Sequence, residues 1–149
     1  MKKLISTLLA LTMVLSLGVT ALAAAGYDYT VSVNGVELSK SGIPASAASD
    51  VPLPLRSVAE ADYGYASWYA DEGRSFFSMS GNKIYVDCKT GEITLNDKAV
   101  QGMKAHFVKG VTFVPAELVN QMTDCKAVVK DKTITITTPN NKIQAFFSV

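Results

Sequence analysis

The chain has 149 residues, with 14 basic and 13 acidic side chains, one histidine and two cysteines, for a formal charge of +1. No basic stripe stands out of that balance, so a nucleic-acid phosphate backbone is not an expected partner. One histidine and two cysteines are too few for a metal cage built on those ligands, and no cofactor is expected.

The chain opens with Met1-Lys2-Lys3, an almost unbroken apolar run from Leu4 to Val19, and the small residues Ala21-Leu22-Ala23-Ala24-Ala25. This is the layout of a secretory signal peptide over residues 1–25, cut after Ala23 or Ala25. The competing reading is a retained membrane anchor, for which the run is short. Removing Lys2 and Lys3 leaves 12 basic against 13 acidic side chains, on a chain of about 125 residues. That length suits one compact domain, 26–149, with a modest core. No second apolar run is long enough to cross a bilayer, so no membrane span is expected after signal removal, and the protein is expected to be secreted or at the cell surface. The mean hydropathy of +0.21 owes much to the leader.

Tyr29 to Val33 alternates and runs into Asn34-Gly35, a two-residue hairpin turn, so Val36-Glu37-Leu38 should return antiparallel. Residues 39–50, rich in Ser, Ala and Gly, read as a surface loop. Val51 to Pro54 is a short apolar run ending in a proline, which suits the first helical position, and Leu55, Val58 and Ala59 then recur at helical spacing. Arg56 and Glu60 are four apart and should pair on the exposed face. Gly64 should end the helix as a left-handed cap. A meander of short strands follows: Tyr65–Tyr69, Ser75–Met79, Lys83–Asp87 and Glu92–Leu95, with Ala66 and Trp68 expected to face the core.

The pattern then restarts. Leu95-Asn96-Asp97-Lys98 resembles Val33-Asn34-Gly35-Val36, and Val111 to Val114 leads into Pro115 with Leu118, Val119 and Met122 at helical spacing. Lys126–Lys130 and the cleanly alternating Thr133–Thr137 close the unit, and the apolar tail Ile143 to Val149 is a candidate last strand. The expected fold is therefore α+β: two pseudo-repeated units, about 29–79 and 92–138, each of short antiparallel strands plus one short helix, sharing one core.

Cys88 and Cys125 fit no zinc or redox spacing. An oxidising compartment permits a disulfide between them, worth about 4 kcal/mol on the chain-entropy model, and two separate buried thiols are the alternative. His106 beside Phe107 reads as a structural or surface residue, and any Ser-His or Cys-His arrangement would have to use it. No Gly-x-Ser-x-Gly elbow or phosphate-cradling glycine loop occurs, so no catalytic residue is expected. Tyr65 and Tyr69 should project from one side of their strand, with Tyr63 nearby, as a candidate platform for a sugar ring or a protein; ordinary cross-strand pairing is the plainer account.

Val33-Asn34-Gly35, then Pro52-Leu53-Pro54-Leu55-Arg56-Ser57-Val58-Ala59-Glu60-Ala61, then Trp68, then Val114-Pro115 with its helix, resemble the copper amine oxidase N-terminal domain-like family over roughly Val31 to Thr138. The second unit departs from the pattern, with Pro115-Ala116-Glu117 where the family keeps Pro-Leu-Arg. The resemblance implies a bacterial exported stalk-type domain remote from copper and quinone, without catalysis. It implies a cell-envelope or extracellular module acting on a cell-wall glycan or another envelope protein, or as a spacer. A secreted small-ligand binder or enzyme inhibitor is the alternative, and a cryptic hydrolase a third.

Overall fold

Short alternating runs separated by residues that tolerate positive φ give a chain of small strands. In the computed structural model, which describes residues 26–46, 48 and 50–141, these strands form three sheets with two short helices. The expected signal peptide and the apolar tail Ile143 to Val149 lie outside the described residues.

β1 (Thr30–Val33) turns through Asn34 and Gly35, at φ 51° and 87°, into β2 (Val36–Glu37), which pairs antiparallel with it. β3 (Pro52–Pro54) leads into α1 (Leu55–Ala61). Pro54 itself is extended, at φ −73° and ψ 100°, so it caps the helix from outside rather than occupying its first turn. Leu55, Val58 and Ala59 are fully buried, and Arg56 and Glu60 pair at 2.9 Å on the exposed side.

The helix ends differently from expectation. Tyr63 takes the left-handed position, at φ 61°, which glycine would fill at less cost. Gly64 answers a different demand: a Cβ there would lie 1.8 Å from the carbonyl oxygen of Ser78. The turn is held by the Gly64 amide donating to the Ala59 carbonyl at 2.8 Å.

An antiparallel meander follows: β4 (Tyr65–Tyr69), β5 (Arg74–Met79), β6 (Asn82–Asp87), β7 (Ile93–Leu95) and β8 (Lys98–Ala99), in that order across one sheet with β4 at its edge. β9 (His106–Val108) and β10 (Val111–Pro115) form a hairpin, and β10 also pairs with β3. Pro115 ends its strand, and α2 (Leu118–Gln121) starts only after Ala116 and Glu117, a single turn. β11 (Lys126–Lys130) and β12 (Thr133–Thr137) complete a sheet of order β11-β12-β1-β2. β12 and β1 run parallel, Thr30 beside Thr133 and Val33 beside Ile136, a pairing no local pattern announced.

The α+β class and the shared core hold. Leu53, Leu55, Val58, Phe77, Met79 and Ile84 from the first part of the chain pack in one cluster with Phe113, Leu118, Met122, Ile134 and Ile136 from the second. Each such side chain is worth about 2 kcal/mol of burial. The likeness between the two halves is local. Asn34 and Asn96 share positive φ, 51° and 49°, and each side-chain oxygen accepts a backbone amide, from Thr138 and Lys83 respectively. Their strands then find different neighbours: β1 lies parallel to β12, β7 antiparallel to β6.

One buried carboxylate ties the sheets together. Asp62 is 1 % exposed and accepts hydrogen bonds from Ser80 Oγ and Thr138 Oγ1, both at 2.5 Å, with Asn34 Nδ2 at 3.5 Å. Asn140 Nδ2 donates to the Asp62 carbonyl at 2.9 Å. Residues from the first turn, the helix end, the β5–β6 turn and the exit of β12 thus converge, which is how a buried carboxylate is tolerated.

Candidate functional site

Side chains alternate across a strand, so β4 sends Tyr65, Ser67 and Tyr69 to one side of the sheet and Ala66 and Trp68 to the other. Register then decides what they meet. Phe76 of β5 lies opposite Ser67, and Tyr85 of β6 lies opposite Phe76. The Phe76 ring sits 5.7 Å from Tyr65, 6.4 Å from Tyr69 and 4.9 Å from Tyr85, all tilted contacts. Tyr69 also meets Tyr85 at 6.5 Å, and the Arg74 guanidinium rests 4.5 Å above the Tyr85 ring while pairing with Glu72. Phe76 is only 6 % exposed although it faces away from the core, because the tyrosines cover it. Tyr65, by contrast, keeps 56 % of its surface in solvent. Pair contacts of this kind add about 1 kcal/mol each beyond area burial, enough to hold the rings as a fixed plate.

Tyr65 and Tyr69 therefore come together, whereas Tyr63 is exposed in the helix–strand turn and makes no ring contact with the plate among the described residues. Phe76, Tyr85 and Arg74 belong to the surface and were missed from the sequence. Phe76 alternates with buried Phe77, a signal that it points outward, but only the register puts it under the two tyrosines.

Trp68 is not a core residue. It shares its side of the sheet with Phe77, yet it is 58 % exposed, because β4 is the edge strand and no element among the described residues covers that corner. It borders a groove of about 450 Å³ between α1, the edge of the meander and the β9–β10 turn.

The expected bridge between Cys88 and Cys125 is not formed, and both thiols are free. Cys125 lies 3.8 Å from Asn82 Nδ2 at the start of β6, and Cys88 follows the other end of that strand, beside Ser75 Oγ at 3.5 Å. Six residues of strand put roughly 20 Å between those ends, far beyond disulfide reach. Burial, with the Asp62 carboxylate nearby, pushes the Cys125 thiol up to about 11, so it stays protonated and a poor nucleophile near neutrality.

His106 Nε2 is 2.5 Å from Ser46 Oγ, and its ring stacks on Phe113 at 5.4 Å. No carboxylate orients the imidazole among the described residues, and the groove beside Trp68 does not include it. This is a loop held to a hairpin by a serine–histidine contact, with Phe113 as its floor.

The model of one protein family, the copper amine oxidase N-terminal domain, matches residues 32–138. The chain belongs to that family. The match runs from Ser32, within β1, to the end of β12 and includes both helices, the tyrosine plate and the groove. A copper amine oxidase N-terminal domain is an accessory, non-catalytic domain. No curated protein and no solved structure matches the chain significantly. The residues of this domain do not fit a copper site: its one histidine is engaged with Ser46, and among the described residues no three His, Cys, Asp or Glu side chains converge. No helix among the described residues is long and apolar enough to cross a membrane.

Proposed function

We propose that the protein is an exported, non-catalytic module of a bacterial cell envelope that works by holding a protein or glycan partner, or as a spacer between them. Export rests on the leader-like first 25 residues, and the envelope setting on the resemblance to exported stalk-type domains. The observation that carries the binding role is the plate of Tyr65, Phe76, Tyr85 and Tyr69. Two half-exposed tyrosines packed at a tilt on a covered phenylalanine give a preorganised apolar surface rimmed by hydroxyls and by Arg74.

The test compares the protein with Tyr65→Ala/Tyr69→Ala in a cell-wall sedimentation assay. Retention should fall to background in the double variant while far-UV circular dichroism is unchanged. Retention equal to that of the original protein would remove the plate from the account. Recovery of the protein in the culture medium alone would favour the soluble ligand-binder reading.

A further inference from the structure

Trp68 is the most conspicuous side chain that the tyrosine plate does not absorb. It is the only tryptophan in the chain, it belongs by register to the core side of its sheet, and it lies open to water. A large ring left uncovered at the lip of a groove has no packing role that requires an indole.

The groove supplies the rest of a site. Its floor is Phe77 and Ala66, and hydroxyls from Ser57 of α1, Ser75 of β5 and Thr112 of β10 line it together with Arg56. Arg56 is the only charged residue in that lining. Its Nε donates to Glu60 at 2.9 Å, one helical turn along, and its two Nη groups take no protein acceptor among the described residues. The volume, about 450 Å³, lies within the range of small-ligand sites.

These features select a chemistry. A flat indole face suits the apolar face of a pyranose ring, the hydroxyls suit its exocyclic oxygens, and a guanidinium with free Nη donors suits a carboxylate. No acidic side chain lines the groove itself, and the carboxylate that competes for Arg56, Glu60, takes its Nε and leaves the Nη side to the ligand. We infer that this groove binds a short acidic glycan, its sugar ring stacked on Trp68 and its carboxylate held by Arg56. The inference rests on the reading of the chain as a non-catalytic binding module, and it names a second surface, across β4 from the tyrosine plate.

Because Trp68 is the sole tryptophan, its emission reports directly on the site. The purified protein is titrated with trigalacturonic acid and, in parallel, with the methyl ester of the same trisaccharide. The acid should give a saturable blue shift that weakens with added salt. The ester should bind about tenfold more weakly, as should the acid to Arg56→Gln, the cost of one charge-assisted pair. Glu60→Gln, which removes only the competing carboxylate, should bind the acid at least as well as the original. The inference is overturned by the absence of a saturable shift with the acid, by equal binding of acid and ester, or by undiminished binding to Arg56→Gln. The outcome is separable from that of the wall assay. Retention through Tyr65 and Tyr69 with a silent Trp68 would sink the groove alone, and a titrating Trp68 on a protein that ignores walls would sink the envelope reading alone.

Discussion

Gly64→Ala tests the packing argument at the joint between α1 and the meander. The added methyl would sit 1.8 Å from the Ser78 carbonyl oxygen and 2.9 Å from that of Ala59. Both obstacles are backbone, so no side chain can rotate away; the helix end and β5 must separate by more than 1 Å. Doing so threatens the Gly64–Ala59 amide bond and the first pairing of the sheet, Tyr65 with Ser78. Overpacking against unyielding neighbours costs about 2 kcal/mol, and each lost hydrogen bond about 1 kcal/mol more, giving about 4 kcal/mol. That is a large part of the roughly 5–15 kcal/mol that holds a small domain together. The control is Gly102→Ala, at φ 75° with nothing within 4 Å of the new carbon, where only left-handed backbone strain of about 1 kcal/mol is expected. Urea unfolding of the two variants and the original gives both differences from the midpoints and slopes. If Gly64→Ala costs no more than Gly102→Ala, the close approach does not constrain the joint and the argument fails.

Asp62→Ala should destabilise by about 3 kcal/mol, because it leaves the Ser80 and Thr138 hydroxyls without their acceptor in a buried corner, while the Asn34 amide keeps Thr138 Oγ1 at 2.9 Å. A loss under about 1 kcal/mol in the same urea assay would mean water replaces the carboxylate freely. Tyr27 donates its buried hydroxyl to the Pro52 carbonyl at 2.7 Å, and burial, aided by Tyr29 and Asp28, holds its phenol well above the ordinary value of 10.0. A raised folded value keeps the proton in the native state while the unfolded phenol releases it. Its contribution is therefore complete below pH 10 and is lost progressively above it. The thermal midpoint should fall more steeply above pH 10 for the original protein than for Tyr27→Phe, which is itself weaker by about 1 kcal/mol near neutrality; parallel curves would refute the assignment.

Local signals in the sequence located most elements, because turns and alternation are decided by neighbours in the chain. Asn34-Gly35, the Arg56–Glu60 pair and the alternation of Thr133 to Thr137 all lie where residue type alone placed them. What escaped depends on partners distant in sequence. Gly64 looked like a cap because glycine usually is one, but its need comes from Ser78 across the sheet. Trp68 looked like core because strand parity put it there, and parity cannot tell an edge from a middle. The cysteine pair looked bridgeable until β6 was found to lie between the two thiols. Tyr65 and Tyr69 were legible as a spacing, whereas the plate they form with Phe76 and Tyr85 needed three strands in register.

The parallel contact of β1 with β12 bears on how this module would carry tension. The chain enters at Thr30 and leaves after Thr137, and with both strands pointing the same way those points lie at opposite ends of the paired seam. Stretching the domain by its two ends would slide the strands along each other and strain every rung of the ladder at once, whereas a pull on Thr30 and Thr133 would peel the rungs apart one after another. As a spacer, then, it would be stiffest along the direction in which a stalk is drawn.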